Sequence, residues 1–217
     1  MSRRDIDIEV ARRDGGSTVW RARVAAIASE LTALAHQHQS ALGSSRLVCI
    51  DGRAGAGKTT LGAALREAGS TCGSVRLLHM DDMYEGWNGL GEVSARIGRE
   101  LVEPLRNDEA GRYQRYDWHL GRFAEWHSVE PVDLLVLEGV GSGARSYAGS
   151  VTALVWVEAT RELRVARGIE RDGRAVLPRW LAWMDDEDVL FEREDTRARA
   201  DVVVDGTGTD PEAMVFP

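Results

Sequence analysis

Cysteine is almost absent: Cys49 and Cys72 are the only two in 217 residues. Cys49 sits in an apolar run and Cys72 in a Gly/Ser segment, so neither a disulfide framework nor a zinc site is indicated, and a reducing, cytoplasmic setting fits. Long apolar runs are missing as well. None could span a bilayer, and the early arginines (Arg3, Arg4, Arg12, Arg13) are followed by no apolar core, so neither a signal peptide nor a membrane partner is expected. Excess positive charge is missing too: 27 Lys and Arg stand against 35 Asp and Glu, a formal net charge of -8. No basic stripe of the kind that tracks a nucleic-acid backbone is present, so no nucleic-acid partner is expected. An acidic surface still permits nucleotide binding, because one phosphate site needs only a few local cations and backbone amides. The five histidines show no metal-ligand spacing, and there are no internal repeats or low-complexity segments.

The residues present are those of an ordinary globular chain, 43% hydrophobic and 29% charged, long enough for one domain with a small lid. Residues 1–17, ending in Gly15-Gly16-Ser17, read as a loose charged leader. Val24, Ile27, Leu31 and Leu34 recur at helical spacing and predict an amphipathic helix from Val19 to about Leu42, closed by Gly43-Ser44-Ser45. Leu47–Ile50 is a short apolar run typical of a strand buried on both faces. A helix is expected from Lys58 to Ala68, and strands at Val75–Met80, Val132–Leu137, Val151–Val157 and Ala200–Val204. Helices are expected at Arg161–Arg171 and over 178–199. Residues 81–130 are rich in Trp, Tyr, Gly and charge, with one helical stretch around 92–105. Strands alternating with helices imply a three-layer α/β/α sandwich around a parallel sheet. Residues 1–45 then form a leader and helix, and 46–217 one domain with its lid at about 161–180.

Chemistry concentrates where strands end. Gly52, Arg53, Ala54, Gly55, Ala56, Gly57, Lys58 and Thr59 satisfy G-x-x-x-x-G-K-[ST], between an apolar strand and a helix. Glycines let the backbone curl so that its amides face phosphate oxygens, and the helix adds its positive end. Lys58 brings charge to the terminal phosphates and the Thr59 hydroxyl suits Mg²⁺. Thr60, next in the helix, is counted with the nucleotide contacts. Asp81 and Asp82 follow a strand, where a carboxylate faces the ligand crevice of an open sheet; it can take a proton or hold Mg²⁺, or be a solvated turn residue. Glu138 follows Leu134–Leu137 and resembles a carboxylate that orders the metal, or is a helix-capping or turn glutamate; Asp51 reads as structural. Arg161, Arg164, Arg167, Arg171 and Arg174 fall on one helical face. They suit a closing lid that neutralises a moving phosphoryl group, or a solvated face paired with Glu158, Glu162 and Glu170. Aromatics among polar residues suggest a pocket that stacks a flat ligand, while most of them read as ordinary packing under a long irregular segment; Tyr84 is favoured for the pocket, with Tyr116 or Trp118. His119 is placed to hydrogen-bond a substrate edge, while His79 and His127 read as structural.

On these residues the chain resembles the uridine kinase and phosphoribulokinase-like family of P-loop small-molecule kinases, from about residue 46 to 206. The phosphate loop, Asp81-Asp82-Met83-Tyr84, Tyr116-Asp117-Trp118, Glu138-Gly139, the pattern R-x-x-R-x-x-x-R-D at Arg164, Arg167, Arg171 and Asp172, and Ala200–Val203 fall in the family's order. The resemblance places the base at Asp81 and a turn near the adenine at Asp205-Gly206. It implies ATP as donor and Mg²⁺ as cofactor: Lys58 and loop amides on the phosphates, Thr59 and Glu138 on the metal, and Arg164, Arg167 and Arg171 over the transferring group. His119 lies slightly closer to the Tyr-Asp-aromatic step than the histidine of nucleoside-specific members. The expected partner is therefore ATP with a small hydroxyl acceptor, a nucleoside or nucleoside-like compound first, or a pantothenate, glycerate or sugar type. An NTP-hydrolysing switch and a nucleotide-binding module without turnover are the alternatives of other kinds. Oligomeric state is left open, a homo-oligomer included.

Overall fold

A computed structural model describes residues 16–207 and 214–215; most of the expected leader, residues 1–15, lies outside them. The N-terminal helix α1 (Gly16–Gln37) leads to β1 (Arg46–Asp51), which runs through the phosphate loop into α2 (Lys58–Gly69) and β2 (Val75–His79). A helix follows in three pieces, α3 (Val93–Ile97), a π-helical stretch (Gly98–Val102) and α4 (Glu103–Arg106). Pro104 can donate no backbone hydrogen bond, and the helix widens just ahead of it. Next come β3 (Gly111–Asp117), β4 (Arg122–Val129), β5 (Leu134–Glu138), β6 (Ala153–Glu158), α5 (Arg161–Asp172), α6 (Leu177–Glu194), α7 (Thr196–Arg199), β7 (Val202–Asp205) and β8 (Met214–Val215). Among the described residues no helix is long and apolar enough to cross a membrane.

The main sheet has the order β2-β5-β1-β6-β7-β8, parallel except for β8. Successive side chains of a strand point to opposite faces, so β1 sends Leu47 and Cys49 into one core and Val48 and Ile50 into the other. The second core is closed by Val24, Ile27 and Leu31 of α1 and by Leu61 and Leu65 of α2. The first is closed by Ile97, Leu101 and Leu105 and by Trp183, Leu190 and Phe191 of α6. The three layers expected from the alternating pattern are therefore present. α1 ends at Gln37 rather than near Leu42, because the buried stripe stops at Ala35.

Residues 111–129 depart from the reading. They form an antiparallel hairpin outside the main sheet, β3 on β4, with a register irregularity between Gln114 and Tyr116. Its four-residue turn is held by Asp117, whose Oδ1 accepts the backbone N–H groups of His119 (3.0 Å) and Leu120 (2.9 Å). Lowered by those two bonds and by Arg115, the Asp117 pKa sits below the usual carboxylate range.

Candidate active site

β1, β2 and β5 lie side by side and end at one edge of the sheet, where an open parallel sheet places its ligands. Asp51 closes β1. It is fully buried, and its carboxylate accepts from the N–H groups of Gly52 (2.7 Å), Gly141 (2.8 Å) and Gly143 (2.9 Å). Burial still outweighs those bonds and raises its pKa to about 6. Asp51 thus ties the start of the phosphate loop to the chain after β5, a structural role.

The loop is cramped, which explains its glycines. A Cβ on Gly52 (φ 140°) would lie 2.1 Å from the Val157 carbonyl oxygen of β6. Gly206, after β7, donates to Glu158 O (2.8 Å), and a Cβ there would stand 1.9 Å from Ala56 O. The turn expected beside the adenine, Asp205-Gly206, is therefore pressed against the loop. Lys58 opens α2, is almost buried, and donates from Nζ to Arg53 O at 3.0 Å. The Arg53 side chain turns away, pairing with Asp188 and lying 5.6 Å from the Phe191 ring.

A cavity of about 560 Å³ opens against this loop. Ala54, Gly55, Gly57, Lys58 and Thr59 of the loop line it, together with Arg167 and Arg171. Asp81, Asp82, Tyr84, Trp87, Trp118, Glu138 and Trp183 line it as well. Asp81 is open to solvent within the cleft, but the surrounding protein and, less strongly, the charge of Glu138 raise its pKa. Trp118 is 41% exposed, and its indole N–H donates to Asp81 O at 2.9 Å, fixing one aromatic wall to the carboxylate-bearing turn. Trp87 meets Trp118 and Trp183 edge-on, with ring centroids 5.6 and 6.1 Å apart.

Glu138 is buried. Its Oε1 accepts from Thr59 Oγ1 (3.1 Å) and lies 2.5 Å from His79 Nδ1. That hydrogen bond is the main reason the His79 pKa is raised. A hydroxyl and a carboxylate side by side are hard oxygen donors. They fit Mg²⁺, which takes one or two protein ligands and completes its shell with phosphate and water. No cluster of three or more His, Cys, Asp or Glu suited to a metal occurs among the described residues.

The arginines divide. Arg167 donates to Gly55 O (3.0 Å), Ala56 O (3.4 Å) and Gly206 O (2.9 Å), and burial lowers its pKa. Arg171 pairs with both oxygens of Asp172 (2.8 and 2.9 Å) and lies 5.5 Å from the Trp180 ring, whose N–H also reaches Asp172 (2.7 Å). Arg164 does not line the cavity. It is 4% exposed and runs beneath the loop to Glu187 (3.3 Å), because α5 packs directly on Gly55.

Other expected residues also take different places. Tyr84 lines the cavity but is 1% exposed, its hydroxyl spent on Val140 O (2.7 Å) and its ring set edge-on to Trp183. Tyr116 is buried against Trp118 and Phe123, outside the cavity lining. His119 is exposed on the hairpin turn, and Thr60 is exposed on α2; neither lines the cavity. Trp180, Trp183 and Glu187 went unremarked in the sequence. Their spacing of three and four residues on one helical face was the available signal.

No model of a known protein family matches the chain, and no curated protein matches it. Solved structures do. One, provisionally named a uridine kinase, from Bacillus stearothermophilus, is 21% identical with a TM-score of 0.56, covering 74% of this chain and 88% of its own. Another, provisionally named a fructose transport system kinase, from Silicibacter sp. TM1040, is 20% identical with a TM-score of 0.56, covering 72% of this chain and 87% of its own. At this identity the likeness is one of fold: the P-loop kinase fold expected from the motifs.

Proposed function

We propose that this protein transfers the γ-phosphoryl group of ATP to a hydroxyl of a small acceptor bearing a flat ring, a nucleoside or nucleoside-like compound. One observation carries the reading: Lys58 and the loop amides share a single cavity with Asp81 and an aromatic wall. A hydrolytic switch needs no such wall.

The chemistry follows from where each group stands. The acceptor lies between Asp81 and the aromatic residues. Its hydroxyl oxygen attacks the γ-phosphorus, the bond to the β,γ-bridging oxygen breaks, and the hydroxyl proton passes to Asp81. Protein packing and Glu138 make Asp81 a better proton acceptor than an ordinary aspartate. Lys58 and Arg171, both in the cavity lining, would neutralise the charge that spreads over the moving group, and Arg167 braces the loop against the turn at Gly206. Mg²⁺, held by Thr59 and Glu138, would supply charge neutralisation at the phosphates when bound.

The test is calorimetric titration of uridine, cytidine, nicotinamide riboside, pantothenate and glycerate into protein loaded with a non-hydrolysable ATP analogue, repeated with Trp118→Ala. A ring-bearing compound should bind, and Trp118→Ala should weaken it by about 1–3 kcal/mol, the worth of one stacking contact. Binding of glycerate or pantothenate alone, untouched by Trp118→Ala, would refute the flat-ring acceptor.

A further inference from the structure

Glu187 lies on α6 one turn beyond Trp183 and is fully buried. A carboxylate withdrawn from water needs its oxygens satisfied. Oε1 accepts from the Ala54 backbone N–H (2.7 Å) and from Trp183 Nε1 (2.9 Å), while Oε2 faces Arg164 Nη1 at 3.3 Å. The same Nη1 donates to the Ala54 carbonyl oxygen at 3.3 Å. A carboxylate from α6 and a guanidinium from α5 therefore grip one phosphate-loop residue at its nitrogen and its oxygen.

Stability alone does not call for this pair. Two apolar side chains of similar volume would join α5 and α6 at least as well as a buried ion pair. They could not, however, accept the Ala54 N–H or bond its carbonyl. Nor is the grip a catalytic contact, because Glu187 and Arg164 both lie outside the cavity lining. What they touch is the loop backbone. With the Ala54 N–H turned to Glu187, and Gly55 so close to α5 that a Cβ would lie 2.8 Å from Arg164 O, the loop is held from the side away from the cavity.

We propose that Glu187, through Arg164, is a positioning residue for nucleotide binding: it holds Ala54 so that the loop from Gly55 onward is curled for phosphate before ATP arrives. The assignment rests on the phosphate-loop reading above and needs no particular acceptor. Ligands bind more weakly to a site that must order itself first.

The experiment is calorimetric titration of a non-hydrolysable ATP analogue with Mg²⁺ into wild type and the double variant Glu187→Leu/Arg164→Met, beside thermal unfolding of each. The double variant keeps an apolar join between the helices and loses the grip. It is expected to stay cooperatively folded, at a lower unfolding temperature because the Ala54 and Trp183 N–H groups lose their acceptor, and to bind the analogue about 10-fold or more weakly, the loss expected for a hydrogen bond to a charged group. A folded double variant binding within about twofold of wild type would overturn the proposal. Should that protein not fold, Glu187→Gln decides: affinity lowered about threefold or more supports the role, while lowered stability with unchanged affinity refutes it. Wild type that binds no analogue would instead sink the phosphate-loop reading itself.

Discussion

Lys58 is the only lysine in the sequence. Its ammonium is almost buried and makes one hydrogen bond, to the carbonyl of Arg53. Lys58→Met should abolish turnover while circular dichroism stays native, since an apolar chain cannot neutralise terminal phosphates. An amine-reactive probe has one side chain to modify in this protein, and ATP should protect it. Asp81→Asn should lower turnover roughly 100-fold while ATP still binds, the size expected for a lost general base. Asp82→Asn should be milder, and the reverse order would reassign the pair. The raised pKa of Asp81 sets a sign: its base form is lost as pH falls through a value above the ordinary 3.8. The acidic limb of the wild-type pH–rate profile should lie correspondingly high, and the residual activity of Asp81→Asn should lack that limb. The two inner arginines should separate as their surroundings do. Arg167→Ala should depress turnover more than stability, whereas Arg164→Ala leaves buried Glu187 without its ion-pair partner and should destabilise by about 3–5 kcal/mol, read from urea unfolding.

Elements were legible where one force acts along a whole segment. β1 and β5 are buried on both faces, and their unbroken apolar runs announced them. α2 was marked by the loop ahead of it, and α5 by its arginine stripe. The hairpin was not legible, because its strands are buried on neither face throughout and lack a strict alternation. Gly121, with φ 63° at the end of the four-residue turn, was the signal that the polar surroundings masked. α6 was visible as a helix but not as a wall of the site, since contacts between Trp183, Glu187 and Ala54 span more than 120 residues of sequence. Arg164 and Arg167 read alike as members of one stripe; only packing against Gly55 sends the first inward and leaves the second at the loop carbonyls. The hairpin reaches the site through the bond from Trp118 to Asp81 O. Trp118→Phe, which keeps a ring and removes that donor, should raise the acceptor KM more than it lowers kcat, as steady-state rates would show.

The molecule as a whole joins two demands at one sheet edge. Three neighbouring strands bring the phosphate loop, Asp81 and Glu138 together, while the hairpin and α6 wall the remaining space with indoles. An enzyme that only hydrolysed nucleotide needs no aromatic wall beside its phosphate site, whereas this cavity is lined by Trp87, Trp118, Trp180 and Trp183. The central claim is therefore that the γ-phosphoryl group ends on an organic hydroxyl. The direct measurement is to supply γ-³²P-labelled ATP with Mg²⁺ and the ring-bearing acceptor found by calorimetry, then to separate the products by chromatography. The account predicts label in a phosphorylated acceptor, in step with ADP and absent with Lys58→Met. Label released only as inorganic phosphate, at the same rate with or without acceptor, would contradict it.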